Sequence, residues 1–295
     1  MAWLLDPLSA QFLQRALLGG ALVAVVCGIV GTWVVIRGMA FLGEAIGHGM
    51  LPGVAIATVT GAPVLLGAAL AAAVMTAAVG LLQRRGRLSY DTSIGLLFVG
   101  MLSLGVIVVS HSRSFATDAT ALLFGDILAV GIADLIPLVI AAAATVLLAV
   151  VFHRSFVVTA FDPRIAHVLG LRPALAHVVL VGLVTLAVVA SFPVVGSLLV
   201  VGLLLAPAVA ARPWTRTIPA TMLIAALFGM LAVIVGLLIS WHLGTAAGAS
   251  IALTAVLLAF LSGAARARLR RRGTSQIVVR TQPAAPVHAR IEVIA

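Results

Sequence analysis

The chain has 295 residues, of which 63% are hydrophobic and only 9% are charged, and its formal net charge is +10. No soluble globular domain of this length has such a composition, so the sequence predicts a polytopic membrane protein. All 18 basic residues are arginines, which excludes a Walker A loop because that loop needs a lysine at the nucleotide phosphates. The single cysteine, Cys27, excludes an internal disulfide and a thiolate metal site.

The apolar segments predict an all-α bundle of about nine membrane spans, with eight to ten possible. A crossing needs roughly 20 apolar residues, and the division of one long apolar region at Pro193 is left open. An interfacial segment (1–16) precedes the membrane domain (17–262), and a basic cytoplasmic tail (263–295), predicted to be disordered past Gly273, follows it. The predicted spans are 17–36, 38–60, 63–82, 94–110, 133–152, 176–192, 195–211, 218–240 and 246–261.

Arginine-rich connecting segments set the predicted orientation. Because loops rich in arginine stay in the cytoplasm, the segments 84–87, 154–172, 212–216 and 266–272 are predicted to be cytoplasmic. Alternating crossings then place the N-terminus outside the membrane and the C-terminus inside. The basic excess therefore indicates topology and contact with membrane lipid, and no nucleic-acid partner is expected.

The second predicted span contains two side chains that can bind a metal ion. Glu44 and His48 are four residues apart, so a helix places them on one face. Ionisable groups at membrane depth are costly and usually functional. Counted from Arg37 at ~1.5 Å per residue, they lie roughly 10 and 16 Å into the hydrocarbon layer. A carboxylate oxygen together with an imidazole nitrogen suits zinc, manganese or iron.

Two ligands are too few for a tetrahedral metal site, and this deficit favours a homodimer. A two-fold axis would bring together two copies each of Glu44 and His48. The small residues Gly43 and Gly47 would let a second helix approach closely, and Pro52 predicts a kink in the same span. The alternative is that Glu44 and His48 pair within one bundle and bind no metal.

A short helix outside the membrane is predicted in the long polar segment 155–175. Asp162 at the N-cap followed by Pro163 is a typical helix start, and Gly170 marks the helix end.

Three polar residues are predicted near the outer side of the membrane. They act either as helix caps and interfacial charges or as residues that accept the metal ion. These residues are Asp126, Asp134 and His242, and their roles stay open.

Four stretches together resemble the membrane permease subunits of ABC-type importers for zinc, manganese and iron. The segment 37–53 is similar to the family pattern acid-Ala-Ile-x-His-x-x-Leu-Pro-Gly, with Glu44 where aspartate is more usual. The chain departs from the family at Gly244 and Ala246, where aspartate and proline are common. The other three similar stretches are 91–98, 161–170 and 195–208.

The resemblance implies a homodimeric permease in a bacterial inner membrane, with cytoplasmic ATP-binding subunits and an extracytoplasmic protein that delivers the metal. It implies that Glu44 and His48 are the pathway ligands and that 161–170 couples the permease to the ATPase. The implied coupling residues are Phe161, Asp162, Pro163, Arg164 and Gly170.

No catalytic residue, no ATPase site and no permanently bound cofactor are expected on this chain, because the partner subunits would hydrolyse ATP. The transported ion is a divalent metal, with zinc favoured over manganese. The alternative function is a proton-driven secondary metal transporter that works without an ATPase. That alternative predicts internally repeated halves with broken helices, and the sequence has no clear repeat.

Overall fold

A computed structural model describes residues 10–84, 89–111 and 125–278, and the regular structure in these ranges is entirely helical. Two short 3₁₀ helices lie at Ile127–Ala129 and Arg212–Trp214. The α-helices are α1 (Gln11–Arg37), α2 (Ala40–Gly49), α3 (Leu51–Thr60), α4 (Val64–Arg84), α5 (Tyr90–His111), α6 (Ile132–Val151), α7 (His153–Phe161), α8 (Pro163–Val168), α9 (Pro173–Ala211), α10 (Ile218–Leu243) and α11 (Ala247–Val278).

Eight helices in the described ranges are long and apolar enough to cross a membrane, with α2 and α3 counted together. This confirms the predicted all-α membrane bundle. The predicted kink also forms, because α2 ends at Gly49 and α3 begins at Leu51, next to Pro52. At the other end of the chain, α11 continues to Val278, since the alanine and arginine residues of the tail are good helix formers. Residues 1–9 and 279–295 lie outside the described ranges, so disorder of the tail there stays a prediction.

One of the eight helices, α9, is two passes joined by a sharp break. It has 39 residues, and a straight helix of that length would extend roughly 58 Å, almost twice the hydrocarbon thickness. At Gly196 the backbone has φ 71° and ψ 170°, a conformation that glycine adopts readily. The break therefore falls at Gly196 and not at Pro193, because the non-helical backbone angles inside α9 are at Gly196.

Contacts at the two ends of α9 show that the chain reverses at this break. His177 in the first arm (173–195) interacts electrostatically with Arg37, the last residue of α1. Arg212, which directly follows the second arm (197–211), lines a cavity together with Ile36 of α1. Both ends of α9 thus lie beside the same end of α1. Counting the two arms separately raises the eight candidate spans to nine passes, as the sequence predicted.

The bundle therefore has two distinct ends, which we name the Arg37 end and the Gly196 end. At the Arg37 end, the rings of Trp33 and Phe156 lie 5.3 Å apart, which places α7 there. The Arg266 guanidinium lies 5.4 Å from the ring of Trp214 at the same end. The described arginine-rich segments that the sequence assigned to one side of the membrane thus gather at one end of the bundle.

The centre of the bundle is α1, which packs closely against the second arm of α9. Gly31 of α1 lies so close to this arm that an added Cβ would collide with the carbonyl oxygen of Leu204. Helices in membranes use small residues to reach such short separations, because burial from lipid supplies little driving force. Gly31 is therefore a packing residue that sets the distance between α1 and α9.

Replacing Gly31 by alanine is expected to destabilise the bundle by about 1–3 kcal/mol, the usual cost of overpacking a close contact. The measurement is thermal unfolding of the purified chain in detergent. Gly182→Ala is the matched control, because no heavy atom lies within 4 Å of a Cβ added there. Equal unfolding temperatures for both variants would show that the contact between Gly31 and Leu204 does not limit packing.

Candidate metal-binding site

The predicted pair of ligands comes together on α2. The chain turns at Gly38 after α1 and starts α2 at Ala40, so the pair sits two to three turns from the Arg37 end. His48 Nε2 lies 3.5 Å from Glu44 Oε1. The side chains are 17% exposed for His48 and 41% exposed for Glu44. A carboxylate oxygen and an imidazole nitrogen therefore point to one position while Glu44 stays accessible.

His48 is held from the other side by α5. Its ring lies edge-on to the ring of Phe98, with 5.5 Å between the ring centroids. Its Nδ1 atom is buried and has no hydrogen-bond partner among the described residues. A buried ring nitrogen without a partner is uncommon in folded proteins. Nothing in the described chain other than Glu44 therefore holds the imidazole by a polar contact, so the ring is available as a ligand.

Glu44 faces a cavity of about 350 Å³ between α2 and α5, and Asp91 lines the same cavity. In the sequence, Asp91 is only the first residue of the stretch 91–98 that resembles the family. Asp91 and Phe98 are seven residues apart and so share a helix face. That spacing is a signal that could have placed Asp91 on the side that meets α2. The cavity thus connects the carboxylate of the predicted pair with a second carboxylate at the start of α5.

The surface expected to form the dimer axis is already used within the chain. A Cβ added at Gly43 would lie 2.9 Å from Leu204 Cδ2, and one added at Gly47 would lie 3.6 Å from Ser197 Cβ. Both contacts are with the second arm of α9. The expectation that Gly43 and Gly47 admit a second copy is therefore wrong, because this arm occupies the groove beside them.

A single chain offers only two ligands at this position. The described ranges contain no group of three or more His, Cys, Asp or Glu side chains that could hold a metal ion. The open side of α2 carries Phe41, which is 69% exposed, in addition to the partly exposed Glu44. If a second copy contributes ligands, it must approach along this open side and not beside Gly43 and Gly47.

The predicted coupling segment forms a short helix, α8, at the Arg37 end. Asp162 caps it, since its Oδ1 accepts a hydrogen bond from the backbone N–H of Arg164 at 2.7 Å. Pro163 occupies the first turn and Gly170 follows the helix. Two large apolar side chains of the segment 161–170 point outward, because Phe161, the last residue of α7, and Val168 of α8 are 82% and 88% exposed. The helix predicted from the sequence is therefore present and presents an uncovered apolar surface.

The other polar candidates have structural partners. Asp126 caps the first 3₁₀ helix by accepting a hydrogen bond from Ala129 N–H at 3.3 Å. Asp134 accepts a hydrogen bond from Gly131 N–H at 3.0 Å. A ring nitrogen of His242 lies 2.8 Å from the carbonyl oxygen of Leu238. These contacts give all three side chains a local role at helix ends.

A bundle of membrane-spanning helices that carries a carboxylate–imidazole pair has the architecture of a membrane transport protein. The chain belongs to the ABC 3 transport family, whose model matches residues 9–266. It is therefore a multi-pass membrane permease subunit of a bacterial ABC transporter for metal ions. This membership gives no support to a secondary transporter that works without an ATPase.

Several relatives are similar over most of the chain. The manganese transport system membrane protein MntC of Halalkalibacterium halodurans is 35% identical over 84% of this chain and 85% of its own length. The probable iron transport system membrane protein of Haemophilus influenzae is 32% identical over 85% of this chain and 92% of its own. The solved structure of PsaBC from Streptococcus pneumoniae in complex with Fab matches with a TM-score of 0.79, 33% identity and coverage of 88% and 94%. These names include manganese and iron, so they do not support the preference for zinc.

Proposed function

We propose that the chain forms the membrane pathway of an ATP-driven importer that brings a divalent transition metal into a bacterial cell. The observation that carries the proposal is the Glu44–His48 pair, 3.5 Å apart and beside a cavity on the open side of α2. Manganese is the first metal to test, because relatives over most of the chain are named for manganese transport. Iron and zinc are its competitors, since oxygen and imidazole ligands accept all three.

A homodimer would complete the metal site. One copy supplies a carboxylate and an imidazole, and a tetrahedral site needs four ligands. A two-fold axis along the open side of α2, beside Phe41 and Glu44, would double the set. Four ligands of this kind can replace the hydration shell of the ion, and the two imidazoles favour transition metals over calcium and magnesium.

The Arg37 end would face the cytoplasm, because the arginine-rich segments gather there. The N-terminus would then lie outside and the C-terminus inside. Cytoplasmic ATP-binding subunits would dock on the segment 161–170, where Phe161 and Val168 are exposed. An extracytoplasmic metal-binding protein would deliver the ion at the Gly196 end.

The helices supply a direct mechanical route from the docking surface to the metal. The segment around α8 continues from α7, and Phe156 of α7 packs on Trp33 of α1. Four residues after Trp33, α1 ends at Arg37, and α2 starts after the turn at Gly38. A displacement of α8 by the ATPase would therefore change the angle of α2 and separate the two pairs of ligands, which would release the ion.

Asp91 would receive the ion on the release side, because it lines the same cavity as Glu44 at the start of α5. We expect Asp91→Asn to lower the maximal uptake rate about tenfold, the loss of one charge-assisted contact, while equilibrium metal binding at Glu44 and His48 is kept. The measurement pairs radioactive manganese uptake with metal binding to the purified dimer. Loss of binding in parallel with uptake would instead make Asp91 part of the high-affinity site.

The proposed function is tested by reconstituting the chain with the ATP-binding subunit and the secreted metal-binding protein from its own genome. Manganese should enter proteoliposomes only with ATP, and iron or zinc should compete to a measurable degree. Uptake driven by a proton gradient without ATP would overturn the proposal.

A further inference from the structure

A second cavity, of about 600 Å³, lies between α4 and the first arm of α9 and is separate from the cavity beside Glu44. Most of its wall consists of alanine, valine, leucine and glycine. One part of the wall holds Thr76 and Thr185, whose hydroxyl groups are 3.0 Å apart. Polar side chains reappear at the Arg37 end, where Gln83, Tyr90 and His177 line the opening. The cavity is thus apolar along its length and polar at its mouth.

Hydrogen-bond donors without an acceptor lie at the mouth of this cavity and next to it. Gln83 Nε2, the hydroxyl group of Tyr90, and Nε and Nη2 of Arg37 are all buried and have no hydrogen-bond partner among the described residues. Arg37 interacts electrostatically with both Tyr90 and His177, which line the mouth. It forms no ion pair within residues 10–84, 89–111 and 125–278. Buried donors without partners and a half-buried cation without an ion pair are costly, so an anionic acceptor fits this position.

We propose that this cavity binds one anionic phospholipid, with the phosphate at the mouth and an acyl chain in the apolar part. Gln83 lies in the last turn of α4 and Tyr90 is the first residue of α5, so the donors stand at the depth of the lipid head groups. From Gln83 to Thr76 the slot is roughly 10 Å deep at 1.5 Å per residue. Free phosphate would occupy only the polar mouth of the cavity. A phospholipid would place its phosphate at the mouth and an acyl chain in the apolar slot. The guanidinium of Arg37 supplies the charge that selects an anionic head group.

A bound lipid would also affect the junction between two functional helices. Arg37 is the last residue of α1, and α2 with the metal ligands starts three residues later at Ala40. A phosphate held by Arg37 would fix the position of this junction. The lipid site is nevertheless defined by its own residues, and its test does not depend on metal transport.

The structure offers variants that fill the slot without disturbing the protein. Gly80 and Gly182 both line the cavity, and no heavy atom lies within 4 Å of a Cβ added at either position. Leucine at these sites would grow into the empty volume and would improve helix propensity. Gly100→Leu is the matched control, because an added Cβ there also meets nothing within 4 Å and Gly100 does not line the cavity. Arg37→Gln removes the charge at the mouth.

The experiment is native mass spectrometry of the purified full-length chain, exchanged into detergent with phosphatidylglycerol or with phosphatidylcholine. The wild type and Gly100→Leu should retain phosphatidylglycerol about tenfold better than phosphatidylcholine. Arg37→Gln should lose this preference, and Gly80→Leu and Gly182→Leu should each lose the bound lipid while still eluting as folded protein. Millimolar inorganic phosphate should not displace the lipid.

Three results would overturn the proposal. The first is equal retention of phosphatidylglycerol by the wild type and by both leucine variants. The second is displacement of the lipid by inorganic phosphate alone, which would make the mouth a free-anion site. The third is a cross-link between Gly182→Cys residues of two copies, which would show that a second chain covers the cavity.

Discussion

Glu44→Gln should lower ATP-driven manganese uptake by roughly 100-fold or more, since side chains that merely orient a metal ligand already cost 10–100-fold when removed. The substitution keeps the size of the side chain and removes only the charge. The neutral amide cannot balance a dication in the low-dielectric bundle, while His48, 3.5 Å away, would remain. The measurement is uptake of radioactive manganese into proteoliposomes, together with metal binding to the purified chain.

The controls separate ligation from folding. Glu44→Asp should keep most of the uptake, because aspartate provides the same oxygen ligands and is the more usual residue in the family. His48→Ala should lose uptake as Glu44→Gln does, because either variant leaves the pair with a single ligand. Unchanged uptake in both Glu44→Gln and His48→Ala would end the assignment of this pair as the metal site.

The same substitution tests whether two copies share one site. Dimers with Glu44→Gln in only one copy can be isolated with two different affinity tags. A shared site should lose nearly all uptake when one of its carboxylates is removed. Separate sites in each copy would leave about half of the uptake, and that outcome would reject the shared site while keeping the ligands.

A second large effect is expected in the segment 161–170, at the end of α7 and in α8. Val168→Asp combined with Phe161→Asp should abolish stimulation of ATP hydrolysis by the permease and prevent co-purification of the ATP-binding subunit. The two side chains are the most exposed large apolar residues of this region, and central apolar residues of an interface cost about 2 kcal/mol or more each when lost. The ATPase rate of the reconstituted complex is the direct measurement.

Two further variants serve as a control and as a milder change for comparison with the double variant. Leu243→Asp changes an apolar residue that is 72% exposed at the Gly196 end, and it should leave ATPase stimulation intact. Asp162→Ala removes the N-cap of α8 and should weaken stimulation only partly, because a lost cap costs about 1 kcal/mol. Normal stimulation by the double variant would place the ATPase contact elsewhere on the chain.

The sequence by itself determined the features that depend on local spacing and composition. The hydrophobic content required a membrane bundle, because such a chain has no other way to bury its side chains. The spacing of Glu44 and His48 placed them on one helix face, and Asp162 with Pro163 defined a capped helix start. These features follow from backbone geometry over a few residues, so distant parts of the chain do not alter them.

Only the tertiary structure decided which faces of the helices meet. Lipid and neighbouring helices are equally apolar, so hydrophobic patterning cannot tell a lipid-facing side from a packed one. For this reason the sequence assigned Gly43 and Gly47 to a second copy, while the second arm of α9 occupies that groove. The cavity that Glu44 shares with Asp91, and the donors gathered from α1, α4 and α5 around Arg37, arise from contacts between distant segments. The contact between Gly43 and Leu204 depends on the reversal at Gly196, where one backbone conformation sets the direction of an entire pass.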